Sequence, residues 1–211
     1  MATSSTAGRA RGRPPKRDAV VSAARTIFAR DGFMGGSTEA IADLAGVSPR
    51  TIYNHFPSKD ALFAYVLQES ATQVSEAFVA KLNAIRSNDV TEELVAIGIV
   101  LATLPTEFPE HFTMVWMIEP VTLPVPAEVV DAWWDVGPHK VEKALAERLE
   151  ELDRAGRVHV EDPLAAAGHF RALATLQIYR RAWYTAAPIA HDEIERLVRS
   201  SVRAFLEGYG L

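Results

Sequence analysis

Arg50, Thr51, Tyr53, Asn54 and His55 fall within six consecutive positions. Side chains of these types can donate to phosphates and read base edges: arginine suits guanine, asparagine adenine, and a threonine methyl the thymine methyl. They act together only if one rigid element carries them, and the surrounding residues specify a helix. Ser48 can cap it, and Pro49 fits the first helical position, where a missing N–H costs nothing. Ile52 and Phe56, four apart, share a face that should bury. Pro57 ends the helix at or before that point.

A second short helix should precede it. Either Ser37 or Thr38 can cap it, and Glu39 lies in its first turn, where a negative charge suits the dipole. Ile41, Leu44 and Ala45 make an apolar stripe. Gly46 stands where a left-handed backbone closes a helix at little cost, and Val47 can plug the turn. Upstream, Val20, Ala24, Ile27 and Phe28 line one face of a further helix of about a dozen residues, by the 3.6-residue period. Ser58 can cap a long helix after Pro57, and Lys59 lies at its phosphate-favouring N-terminus. By spacing alone the pair is a helix-turn-helix or an ordinary helical hairpin with a solvated polar face.

Residues 38–62 resemble the DNA-binding domain of TetR-type bacterial transcriptional regulators. The resemblance rests on Thr38, Ile41-Ala42, Ala45-Gly46-Val47-Ser48, Ile52-Tyr53, His55-Phe56, Ser58-Lys59 and Leu62, and on Ala-Ala-Arg-Thr-Ile-Phe-Ala-Arg-Asp-Gly-Phe at 23–33. It covers about residues 17–66, and residues 94–118 resemble the AefR-like subgroup. The resemblance implies an all-α protein, with an N-terminal three-helix DNA-binding domain and a larger C-terminal helical domain for ligand binding and dimerisation. It assigns DNA contacts to Thr38, Ser48, Arg50, Thr51, Tyr53, Asn54, His55 and Lys59. Tyr53 and His55 would lean on phosphates, and Arg50, Thr51 and Asn54 would face bases. Pro49-Arg50 departs from many relatives, which leaves open the DNA sequence read.

Charge distribution agrees. The 211 residues carry 22 Lys/Arg and 27 Asp/Glu, net −5. Residues 1–60 hold nine basic and five acidic side chains, whereas residues 61–211 hold 13 and 22. A positive head on an acidic body is expected where only one end meets phosphate. There is no cysteine, hence no disulfide or thiolate chemistry. The basic N-terminus lacks the apolar stretch of a signal peptide, and the longest apolar run is about half a membrane span. The expectation is a cytoplasmic protein without a membrane partner.

Residues 1–16 read as a flexible basic arm. Arg11-Gly12-Arg13-Pro14 is similar to an AT-hook core, which lays arginines in a narrow minor groove. Arg11 and Arg13 are therefore candidate minor-groove contacts, and Lys16 and Arg17 candidate phosphate contacts. Residues 17–60 would form the DNA-binding domain and 61–211 the ligand-binding and dimerisation domain.

In that body, helices are expected at about 58–86, 90–104, 107–118, 126–152 (broken at Gly137-Pro138), 162–186 and 190–208, separated by breaker residues. Ile194, Leu197, Val198, Val202 and Phe205 form a stripe on the last helix. The helix before it, with Leu173, is apolar nearly all round, so both are expected to build a four-helix homodimer interface. Phe108, Phe112, Trp116, Trp133, Trp134 and Trp183 could line a pocket for a small hydrophobic or aromatic ligand. His111, His169 and Gln177, polar groups on apolar segments, would supply its polar contacts.

No P-loop, GxGxxG, GxSxG or HExxH occurs, and the six histidines lack metal-ligand spacing. Neither an enzyme nor a cofactor or metal site is expected. The reading is a sequence-specific regulator, a repressor released from its double-stranded operator by a ligand. The alternative is a ligand-independent architectural DNA binder.

Overall fold

In the computed structural model, residues 16–117, 127–185 and 189–210 are described, and they form ten α-helices with no strand. The chain divides into two compact units between Phe63 and Ala64. Among the described residues no helix is long and apolar enough to cross a membrane.

The first unit holds α1 (Lys16–Gly35), α2 (Thr38–Ala45), α3 (Pro49–His55) and the start of α4 (Lys59–Ala84). Val20, Ala24, Ile27 and Phe28 are buried, as their spacing predicts. α1 runs longer than the expected dozen residues, passing through a non-helical backbone at Gly32 (φ 69°). Phe28 meets Phe63 edge-on at 5.1 Å between ring centroids, a preferred aromatic geometry.

The α2 stripe is rotated from its expected position. Ile41 and Ala42 are buried, whereas Leu44 is 56% exposed. At 100° per residue, Thr38 and Ala45 fall between Ile41 and Ala42 on the helical wheel, and Leu44 lies about 110° from the centre of that arc. Thr38 is consequently buried and Leu44 is not.

The second unit contains the rest of α4 with α5 (Val90–Glu107), α6 (Pro109–Met117), α7 (Ala127–Val136), α8 (Pro138–Arg154), α9 (Pro163–Thr185) and α10 (His191–Tyr209). Its core includes Phe78, Leu94, Ile97, Leu101, Phe170 and Phe205. α5 and α10 approach closely at Gly98, where an added Cβ would stand 2.6 Å from Val198 Cγ1.

Two expectations change here. Pro105 does not end α5, which continues to Glu107. Proline cannot donate to the Leu101 carbonyl four residues back. The Tyr179 hydroxyl from α9 donates to that carbonyl instead, at 2.7 Å, so the helix tolerates the proline. Second, the stripe on α10 faces the chain's own core: Ile194, Val198, Val202 and Phe205 are buried, and Leu197 packs against them. The four buried residues are not available to a second chain. In the second unit most of the exposed large apolar side chains are on α9: Leu164, Leu173, Leu176 (56% exposed) and Tyr184 (75%), with Trp134 on α7.

A buried ion cluster fixes the N-terminal end of α5. Glu93 (1% exposed) accepts from Arg148 Nη1 at 3.1 Å and from Arg157 Nη1 at 2.9 Å. Arg148 (5% exposed) also donates to the Leu82 carbonyl, and Arg157 to that of Ser87. Removing one partner of such a pair strands a buried charge. Glu93→Ala should lower unfolding free energy by about 3–5 kcal/mol in urea denaturation.

Candidate DNA interface and ligand cavity

α3 is held at both ends. Ser48 Oγ accepts from the Thr51 N–H at 3.3 Å and lies 3.0 Å from Thr51 Oγ1. Pro49 is its first residue, and the Phe56 N–H closes the last turn on the Ile52 carbonyl at 2.9 Å. Ile52 and Phe56 are buried, which leaves Arg50, Tyr53, Asn54 and His55 exposed and Thr51 half-buried. Seven residues make α3 too short to persist in water alone, so caps and burial hold it.

The join to α2 follows from its turn. Ser37, not Thr38, caps α2: its Oγ accepts from the Ala40 N–H at 3.1 Å. Gly46 takes a left-handed conformation (φ 66°), and the Val47 N–H reaches back to the Ala42 carbonyl. The Tyr53 hydroxyl lies 3.3 Å from Thr38 Oγ1, tying the two helices together.

The expected DNA contacts thus divide. Ser48, Arg50, Tyr53, Asn54 and His55 are exposed together, on or next to α3, which carries no acidic residue. Thr38 is buried, with its hydroxyl facing that of Tyr53, and does not lie at the surface. Lys59 is half-buried; its Nζ donates to the Gly36 carbonyl at 3.3 Å and lies 4.7 Å from the Phe33 ring centroid. Lys16 is exposed, and the Arg17 guanidinium lies 5.3 Å from the Phe56 ring centroid. Arg11 and Arg13 lie outside the described residues.

In the second unit a cavity of about 220 Å³ is lined by side chains from six helices, α4 to α9. Of the expected ligand contacts, His111, Phe112, Trp116, Trp133 and Trp134 line it. Phe108 instead packs on the core. His169 and Gln177 are exposed, with His169 Nδ1 2.6 Å from the Tyr209 hydroxyl. Trp183 belongs to α9, but its side chain lies outside those described.

The lining also includes Val74, Ser75 and Leu101, which carried no polar or aromatic signal strong enough to single them out, and Arg171 and Tyr179, eight apart on α9. The polar groups largely have partners. Ser70 donates to the Leu67 carbonyl at 2.9 Å, so its contact with His111 (2.8 Å) uses the His111 Nδ1–H as donor. Ser75 bonds the Val136 carbonyl, and Arg171 pairs with Glu142. Burial pushes the Tyr179 phenol well above its usual range, so it stays a donor to Leu101.

Two family models match the chain: bacterial regulatory proteins of the tetR family over residues 20–66, and the AefR-like transcriptional repressor C-terminal domain over residues 93–211. The second alone spans more than half the chain. The chain belongs to the TetR family. The chain is 39% identical over 87 residues to the HTH-type transcriptional regulator RutR of Escherichia coli K12, covering 41% of this chain and 39% of RutR. UidR of the same strain is 32% identical over 84 residues, 39% of this chain and 43% of that protein. The chain thus matches about two-fifths of the length of these curated relatives.

Whole-chain likeness comes from solved structures. A TetR-family regulator structure from Mesorhizobium loti superposes with TM-score 0.81 at 25% identity, covering 93% of this chain and 97% of that one. The flavonoid-responsive regulator FrrA superposes at 0.69 and 28% identity, covering 92% and 96%. Within this TetR chain, Ser48→Ala removes the cap of α3. It should cost about 1 kcal/mol of stability, read as a lower melting temperature of the first unit by circular dichroism or hydrogen exchange.

Proposed function

We propose that this TetR-family protein is a sequence-specific DNA-binding regulator, a repressor that leaves its operator when a small apolar or aromatic ligand occupies the cavity of the second unit. The observation that carries the reading is the α3 surface. A capped helix exposes Arg50, Tyr53, Asn54 and His55 together, and buries only Ile52 and its C-cap Phe56. Such a helix fits a major groove, where these side chain types distinguish base pairs.

Two further features support the regulatory part. FrrA responds to flavonoids by its description, and the cavity here is walled chiefly by aromatic and aliphatic side chains. α4 begins within the first unit at Lys59 and supplies Ala71, Val74 and Ser75 to the cavity wall. One helix therefore belongs to both the DNA-binding and the ligand-binding parts. A ligand that binds better to a form with misplaced recognition helices lowers DNA affinity by population shift.

The operator-bound form is a homodimer in this proposal. Half-site readers are two-fold, with recognition helices about 34 Å apart along the duplex. The exposed Leu173, Leu176 and Tyr184 on α9 are the apolar surface suited to pairing, in place of the α10 stripe.

Footprinting on fragments from upstream of the protein's own gene tests the reading. A discrete protected site is expected in dilute buffer. Arg50→Ala should weaken it about tenfold or more while leaving the melting temperature and oligomeric state unchanged. If no fragment is protected, or if Arg50→Ala dissociates the oligomer instead, the proposal is wrong.

A further inference from the structure

The N-terminal end of α1 is fixed beside the reading helix. The Arg17 guanidinium stands 5.3 Å from the ring centroid of Phe56, the C-cap of α3, and Lys16 before it is exposed. Phe56 is buried, and its N–H closes α3 on the Ile52 carbonyl, so the ring is a fixed mount. The chain therefore enters α1 next to the helix proposed to fill a major groove.

The residue types that lead to this point suit a groove as well as a phosphate. Residues 1–17 carry five basic side chains, Arg9, Arg11, Arg13, Lys16 and Arg17, and no acidic one. Arg11 and Arg13, outside the described residues, flank Gly12 in the sequence. A position without a Cβ lets a backbone approach a groove floor closely, with an arginine on either side to enter it. Narrow minor grooves are A·T-rich, and their stronger negative potential attracts arginine. A G·C pair instead places the guanine N2 amino group on that floor.

Distance allows the contact. Pro14-Pro15 join Arg13 to Lys16. Consecutive prolines favour an extended polyproline backbone, which rises about 3.1 Å per residue. On that rise Arg13 would stand about 9 Å and Arg11 about 16 Å beyond Lys16. The minor groove beside a filled major groove is about 17 Å away along the duplex, half of a turn of about 34 Å. Arginine side chains cover the remainder.

We infer that Arg11-Gly12-Arg13 is a second DNA-reading element, which enters the minor groove flanking each α3 site and selects A·T pairs there. The inference rests on the proposed reading of α3 as the major-groove element. It adds a sequence requirement about half a turn from the bases that α3 meets.

Gel-retardation titrations of the full-length protein test it on the protected upstream fragment. The base pairs half a turn to either side of each α3 contact are made A·T, G·C or inosine·C. Inosine lacks the N2 amino group, so inosine·C keeps the major-groove pattern of G·C and presents the minor-groove pattern of A·T. A·T flanks should bind about tenfold more tightly than G·C flanks. Inosine·C flanks should recover most of that difference. In Arg11→Ala/Arg13→Ala both ratios should fall to about one. Both arginines precede α1, so this variant keeps every core residue and its melting temperature should not change.

Equal binding of all three flanks by the native protein overturns the inference and leaves α3 a reading helix. So does equal binding of G·C and inosine·C flanks below A·T, which places the discrimination in the major groove. A double variant that loses affinity equally on all flanks and keeps the A·T preference shows an arm that meets phosphate only, and also overturns it. If no upstream fragment is retarded, the inference falls together with the reading of α3.

Discussion

A seven-residue helix has no independent stability in water, and the reading of the head depends on α3 being held in place from outside. Three constraints do so. Ser48 caps its start, Pro49 fixes the first backbone angle, and Ile52 with Phe56 anchors its inner side in the core of the first unit. Because these constraints act on the inner side and the ends, the outer side has few intramolecular obligations among the described residues. The Tyr53–Thr38 contact is the one exception: it uses a hydroxyl whose ring remains about half exposed, locking α3 to α2 without hiding it. Rigidity and availability are thus supplied by different residues, as a reading surface requires.

The second unit solves a different problem, keeping a cavity open among six helices that would otherwise close on it. Bonds around its wall hold the spacing. Tyr179 supports the Leu101 carbonyl that Pro105 leaves unpaired, Ser75 ties α4 to the end of α7, and Ser70 orients His111. The buried Glu93–Arg148–Arg157 cluster joins the start of α5 to α8 and to the segment that follows α8. These polar devices lie among apolar side chains, and nearly all of them are internally matched. The Trp133 indole N–H is the exception: it is buried and has no acceptor among the described residues.

How much of this was legible in the sequence depends on the range of the interaction. The turn between α2 and α3, the cap at Ser48 and the role of Pro49 are local, and residue type alone indicates them. The phase of α2 was not, because eight residues give two turns and several stripes fit; tertiary packing chose the one centred near Thr38 and Ala45 and left Leu44 out. The α10 stripe was correctly seen as a buried face, but periodicity does not say what covers a face. Here it is the chain's own core, and most of the exposed apolar side chains of the second unit lie on α9. The aromatic residues of α6 and α7 announced a pocket by their composition. Arg171 and Tyr179 joined it only through the packing of α9, and His169 and Gln177 point elsewhere on the same helix.

The central claim is that the outer face of α3 enters a major groove. Methylation interference on the protected upstream fragment tests it most directly, since a methyl on guanine N7 blocks that groove alone. The account predicts interference at guanine N7 in two clusters about one helical turn apart, one for each α3 of a dimer. Interference confined to adenine N3 in the minor groove, or none at guanine N7, would contradict it.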